Sequence, residues 1–522
     1  MSTLDQADVD VMKATKTCVA AQRFQYDYLN DDITDDGKID YSLTNKVPES
    51  LRKAIAEGKK ILVLINPPYA EAMSGDTSSG GENKTGVAKT KFAATAMTAY
   101  GKASNELFMQ FVARVAQEIP TATVAMFSKL KYISAPTLDK FRDSWQAKYL
   151  AGFVVHSKLF DGLSGDFPIG FLIWQTNQNV SKKTSITEIE VEVLDKKAQP
   201  IGVKTFSNIS EVPLLTDWVE RPPANEIDVV PLKNATEPAT ATKDLRGTKW
   251  SDGAIAWLNC AGNDLQNAGQ KTMLFSSGYG SGRGFFVNEE NVCKAAIIFS
   301  VRRLIKPTWL NDRDQFLQPT APLSDEFKSD CLMWMLFNGS NLTASANDLE
   351  WNGKQWSIVN HFIPFTEAEV NAPERFESDF MVQYLTNLPA LVIPVQTGIH
   401  VELDVEKKPK IDSRLHGNDR TGGNDEGKSQ YRGLSAEANT VLNAGRILWQ
   451  AYFAHTDVRS VRDELKLNLA DVGWYQIRNA LKARNASGDF PPVDFGTFEA
   501  AYKALGDKLR PQVYDLGFLK GK

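Results

Sequence analysis

The chain has 522 residues, of which 42% are hydrophobic, 10% aromatic and 24% charged. That supplies ample core material and excludes wholesale disorder, while the length predicts roughly two to four domains. Lys+Arg total 59 against 64 Asp+Glu, a formal charge of −5, which excludes a globally basic nucleic-acid binder but leaves room for a local basic face. No apolar run approaches the roughly 20 residues of a membrane helix. The first residues carry Asp5, Asp8 and Asp10 and no apolar signal core, so no membrane and a cytoplasmic location are expected.

In chain order, Phe24–Leu29 and Ile61–Ile65 read as strands, with helix-forming composition from Glu49 to Lys60 between them. A helix over about 102–117, a strand over 121–127 and a helix over about 138–148 follow, then strands at 153–157 and 169–174. Apolar strands separated by helices predict a mostly parallel sheet covered on both faces. The last two strands, joined by the short turn from Asp161 to Pro168, are expected to be antiparallel. A Gly/Ser/Thr-rich stretch, Met73 to Thr90, has no periodicity and reads as a functional loop.

Residues 179–390 read as a second, mixed α/β domain with strand-like pieces at Glu188–Leu194 and Ala295–Val301. Beyond 431 the spacing of Val441, Ala444, Ile447, Leu448 and Ala451 is helical, so residues 431–522 are expected to be mostly α. Residues 391–430 look foreign. Val392–His400 and Lys410–Asp419 resemble the two translated halves of a palindromic repeat dispersed in bacterial genomes, which predicts an inserted surface loop.

Four cysteines and five histidines are too dispersed for a disulfide framework or a ligand cluster, and no metal site is expected. From Glu82 to Lys148, by contrast, ten Lys/Arg face five acidic residues. This basic window adjoins the most informative motif in the chain. Asn66-Pro67-Pro68-Tyr69 directly follows the apolar strand at 61–65. An exocyclic amine on a purine is a poor nucleophile because its lone pair is delocalised into the ring. The side-chain oxygen of Asn66 and the carbonyl of Pro67 could accept its hydrogens, and two prolines present that carbonyl rigidly. Tyr69 could stack on a base extruded from a duplex.

On these residues the chain resembles the amino-methylating DNA methyltransferases of bacterial restriction–modification systems, of the adenine-N6 type, over residues 1–175, which places a catalytic domain at 1–178. The resemblance implies an α/β fold: a partial Rossmann-like, S-adenosylmethionine-dependent methyltransferase sheet, a mixed α/β target-recognition region and a mostly helical C-terminus. It implies Asp5 and Asp27 at the cofactor's ribose and adenine, and Leu107 and Phe108 lining the cofactor pocket. Phe167 in the run DFPIGFLIW would be a second base-stacking aromatic. Double-stranded DNA is the implied partner, with a separate restriction endonuclease a further possible one. Such enzymes hold the cofactor's methionine end on a glycine-rich loop after the first strand. No such loop precedes Asp5, so the chain reads as truncated before it, and either an active enzyme or an inert DNA-binding remnant is expected. The glycine cluster Gly278–Gly284 precedes a β-like run rather than a helix and is not taken as a substitute. Arg302, Arg303, Lys306, Lys503, Lys508 and Arg510 could touch phosphates, although charge runs are ordinarily solvated faces. Asp314, Glu326 and Lys328 fit a nuclease metal motif only loosely.

Overall fold

A computed structural model describes residues 1–68, 90–161, 163, 165–176, 186, 188–208, 212–221, 253–278, 283–351, 353–391, 431–455, 472–484, 488 and 493–520. The chain divides into two compact units, residues 1–212 with 307–315, and residues 213–306 with 316–520. The expected boundary at 178/179 moves to Val212, because two further strands pair onto the edge of the first unit's sheet. The expected loop at 391–430 lies outside the described residues except Leu391.

In unit 1, β1 (Ser2–Thr3) and β2 (Phe24–Gln25), connected through α1 (Gln6–Ala14), form a small parallel pair, with Ser2 opposite Phe24 and Thr3 opposite Gln25. Next come α2 (Glu49–Ala56), β3 (Leu62–Ile65), α3 (Lys91–Thr95), α4 (Leu107–Glu118) and β4 (Thr123–Lys129). They are followed by α5 (Lys131–Ser134), α6 (Asp139–Ser144), β5 (Ala147–His156), β6 (Pro168–Thr176), β7 (Glu188–Leu194) and β8 (Pro200–Ser207). Six strands make one sheet in the order β3-β4-β6-β5-β7-β8. β3 and β4 are parallel, as are β5 and β7, whereas β4/β6, β5/β6 and β7/β8 are antiparallel. The sheet is therefore mixed rather than mostly parallel. The expected antiparallel pairing of β5 and β6 is present, with His156 opposite Pro168.

One face of this sheet is a core: Val124, Met126, Val154, Leu172, Trp174, Val191 and Val193 pack against Phe108, Val112, Tyr132, Phe141 and Trp145. The other face differs from the expectation of a sheet covered on both sides. Leu62 and Leu64 are 68% and 70% exposed, and Phe127, Phe153, Phe171 and Ile173 are half-buried.

Unit 2 contains β9 (Ala256–Cys260), β10 (Thr272–Phe275), β11 (Gly284–Val287), α7 (Val292–Leu304), α8 (Asp325–Leu336) and β12 (Asn341–Leu342). Then follow the hairpin β13 (Ala346–Trp351) and β14 (Lys354–Ile358), α9 (Glu367–Val370) and α10 (Phe380–Thr386). The last helices are α11 (Ala436–Ala454), α12 (Trp474–Lys482) and α13 (Gly496–Asp515). Its sheet, β11-β9-β10-β12, packs against α7 across β9 and β10, in the core that also holds Trp449 and Trp474, and every residue of β9 is buried. Ala295–Val301, expected as a strand, is the buried middle of α7; a short continuous apolar run carries no period that separates helix from strand. The helical C-terminus is present among the described residues, and Gly445 of α11 lets that helix approach the Phe337 ring at a distance no side chain would permit. No helix among the described residues is long and apolar enough to cross a membrane.

Candidate functional site

The residues singled out in the sequence sit at strand ends. Asn66-Pro67-Pro68 leaves the carboxyl end of β3, with Asn66 and Pro68 exposed and Pro67 buried. Tyr69 lies outside the described residues. Ile65 is opposite Met126 and Lys129 opposite Ile169, so the start of β6 lies at the same end of the sheet. Phe167 precedes that start and is half-buried. Two strand spacings, about 10 Å, separate β3 from β6. Asn66, Lys129 and Phe167 thus share the edge of the sheet where open α/β sheets present ligands.

The turn that carries Phe167 is fixed by polar contacts. The Phe167 carbonyl accepts from the Ser157 amide at 3.0 Å, and the Ser157 hydroxyl donates to the Gly165 carbonyl at 2.7 Å. Asp166 meets Lys158 Nζ at 2.6 Å and His156 Nε2 at 3.3 Å, and the hydrogen bond from Lys158 holds its carboxyl below the ordinary range.

Asp5 and Asp27 lie just past the carboxyl ends of the parallel strands β1 and β2. Asp5 is exposed and precedes α1. Asp27 is half-buried; its two carboxylate oxygens accept from the Leu29 amide at 3.2 Å and from Asn30 Nδ2 at 2.9 Å. Leu107 is buried and Phe108 is in the core against Tyr132, with ring centroids 6.0 Å apart. The geometry therefore brings Asp5 beside Asp27 and Asn66 towards Phe167. It does not join the β1/β2 pair to the sheet that carries Asn66.

A buried knot that sequence reasoning missed holds the Asp27 loop. Arg114 of α4 has a fully buried side chain. It donates to the carbonyls of Tyr28 and Asp31 and to the Tyr26 hydroxyl, the last at 2.7 Å, and pairs with Glu118 at 3.2 Å. Its guanidinium lies 4.4 Å from the Tyr28 ring centroid, and Tyr41 donates to the other oxygen of Glu118 at 2.5 Å. Burial raises the pKa of Tyr26, Tyr28 and Tyr41, and Glu118 raises it further, so all three stay neutral hydroxyl donors. Burial works against the charge of Arg114, but Glu118 and the two tyrosines more than offset it. The only signal in the sequence was the aromatic run Phe24, Tyr26, Tyr28; its partner is 86 residues away.

The basic window loses two of its cations for the same reason. Arg142 is buried, donating to the carbonyls of Tyr132 and Ala135, and burial pushes its pKa down to about 10. In unit 2, Arg302 and Arg303 are spent on the backbone carbonyls around Gly262 and Thr272. Lys508 is shared among Glu326, Asp330 and Glu437 at 2.5–3.0 Å. Arg114, Arg142, Arg302, Arg303 and Lys508 therefore hold the fold together and are not poised for phosphates. The loose nuclease reading also dissolves: Asp314 pairs with Lys204 at 2.7 Å, Glu326 with Lys508, and no group of three ligating side chains occurs among the described residues.

No family profile matches the chain, and no curated protein matches it. Among solved structures it is similar to the ATP-dependent Type ISP restriction-modification enzyme LlaBIII bound to DNA, at 11% identity and a TM-score of 0.24. The match covers 47% of this chain and 18% of that one. At that score the likeness carries no argument about activity.

Proposed function

We propose that this chain is a site-specific DNA methyltransferase of restriction–modification type, acting on the N6 amine of an adenine turned out of the duplex. The observation that carries the reading is the rigid turn Asn66-Pro67-Pro68 at the carboxyl end of β3, with Asn66 facing solvent. In this reading the Asn66 side-chain oxygen and the Pro67 carbonyl accept the two amine hydrogens. That draws the nitrogen towards sp³ and frees its lone pair for an in-line attack, with no covalent enzyme intermediate. Phe167, at the same sheet edge, stacks on the extruded base, and Tyr69 is assigned the opposite face. S-adenosylmethionine supplies the methyl group, and Asp5 and Asp27 are the residues that would hold its ribose and adenine.

The test uses the 522-residue chain, duplex DNA of mixed sequence and S-adenosylmethionine carrying a labelled methyl group. Label incorporated at adenine, lost in Asn66→Ala while DNA affinity is kept, is the expected result. Incorporation unchanged by Asn66→Ala overturns the assignment.

A second reading is an inert DNA-binding subunit, in which Asp27 serves its own loop by accepting from Leu29 and Asn30. Calorimetric titration separates the two. Heat of S-adenosylmethionine binding supports the enzyme; DNA binding without it supports the inert subunit.

A further inference from the structure

On the face of the unit 1 sheet opposite its helices, Phe160 packs on Phe127 with ring centroids 5.4 Å apart, but Leu62 and Leu64 stay open to solvent, a composition that water alone does not explain. Register places Phe127 opposite Phe171, and Phe171 opposite Phe153, so three aromatics line up across β4, β6 and β5 on that face. Their ring centroids are 4.8 and 5.4 Å apart. Leu62 and Leu64 share the face, because their partners Thr123 and Ala125 alternate with Phe127. LVLI is the composition of a strand buried on both sides, yet β3 is an outer strand of the sheet with two leucines open to solvent. A contiguous apolar band of this kind on a folded chain marks an interaction surface.

Charge identifies what fits it. Glu192 of β7 is opposite Phe153, and Glu188 and Glu190 alternate with it, so three exposed carboxylates border the apolar band on the same face. The cations on that face, Lys129 and Lys148, lie at opposite ends of it. Phosphates, whether of nucleic acid or of an anionic membrane, are repelled by such a row. A polypeptide that is apolar in the middle and basic on one side is complementary to it. β3 to β7 is four strand spacings, about 19 Å, a width that one helix of about 10–12 Å diameter spans with long basic side chains on one flank.

We propose that this face is the seat of an amphipathic α-helix from a partner protein. Its apolar stripe meets Leu62, Leu64, Phe127, Phe171 and Phe153, and its Lys/Arg flank meets Glu188, Glu190 and Glu192. The inference rests on the sheet alone and stands apart from the methyl-transfer reading.

The test titrates the full chain, by fluorescence anisotropy, with a labelled helical peptide of about five turns that carries a Leu stripe and a Lys flank. A twin peptide carries Glu in place of Lys. The Lys peptide is expected to bind saturably, about tenfold tighter than its twin. Leu64→Glu, at a site already open to solvent, is expected to weaken it about tenfold with an unchanged melting curve; Leu62→Lys serves if Leu64→Glu melts early. Neutralising the row, with Glu188→Gln, Glu190→Gln and Glu192→Gln together, is expected to erase the preference between the twins. No saturable binding, equal binding of the twins to the parent chain, or binding indifferent to both leucine variants overturns the proposal. So does a concentration-dependent dimer that Leu64→Glu dissociates, which gives the face to a second copy, or co-sedimentation of the chain with phosphatidylserine vesicles.

Discussion

β3 and β9 are written in similar letters and meet different fates. Leu62-Val63-Leu64-Ile65 is an outer strand of the first sheet with two leucines in water, whereas Ala256-Trp257-Leu258-Asn259-Cys260 is flanked on both edges and wholly buried. Around β9, helices close over the sheet and Trp474 donates from its indole N–H to the Phe337 carbonyl at 2.6 Å. Around β3, the described helices α4, α5 and α6 pack on one side of the sheet. Two strands of similar apolar composition therefore differ in burial because of what the rest of the chain lays over them.

If the core around Trp474 is closed and the face of Leu62 and Leu64 is open, substitutions must cost very different amounts. The largest effect is expected at Trp474→Ala, which empties the aromatic cluster with Phe337, Trp449 and Phe498 and should cost about 4 kcal/mol in chemical denaturation. A loss below about 1 kcal/mol would mean that this core is looser than the packing implies. Next comes Arg114→Met, which strips donors from the Tyr28 and Asp31 carbonyls and leaves Glu118 buried without its cation. About 3 kcal/mol is expected, with earlier proteolysis among the first 45 residues as its local signature. On the open face Leu64→Ser should shift stability by no more than about 0.5 kcal/mol, measured by the same denaturation; a large cost would show that the face is covered in solution. The smallest effect is a pH dependence. Burial lowers the pKa of His361 below 6.5, and its Nδ1 is 2.8 Å from the Ser378 hydroxyl. The neutral ring's contribution is thus complete above pH 6.5 and disappears as the pH falls through the depressed folded value. His361→Gln should flatten the acid limb of a plot of melting temperature against pH.

Much of the first unit was legible because strands such as β4, β5 and β6 are continuous apolar runs bounded by polar turns, and the antiparallel pairing of β5 with β6 followed from the short Asp161–Pro168 connection. The turn at Asn66-Pro67-Pro68 was legible because proline fixes local geometry whatever surrounds it. The helix α7 was not, since the short apolar run Ala295–Phe299 fits either period. Nor were the roles of Arg114 and Arg302 visible: each spends its charge on carbonyls from distant segments, and an arginine's neighbours in sequence say nothing of whether it faces water or main chain. The extension of unit 1 to Val212 depended on a parallel pairing between β5 and β7, a contact that leaves no short-range mark.

The clasp on the 27–31 loop reads no side chains there except through the Tyr26 hydroxyl and the ring of Tyr28; its other bonds end on carbonyl oxygens that any amino acid would offer. The loop's own side chains tie the same bend from within: Asn30 donates to Asp27, Asp31 accepts from the Asp27 amide and Leu29 is buried. The shape is thus written twice, once locally and once on a helix far along the chain, and losing either script leaves the other still legible.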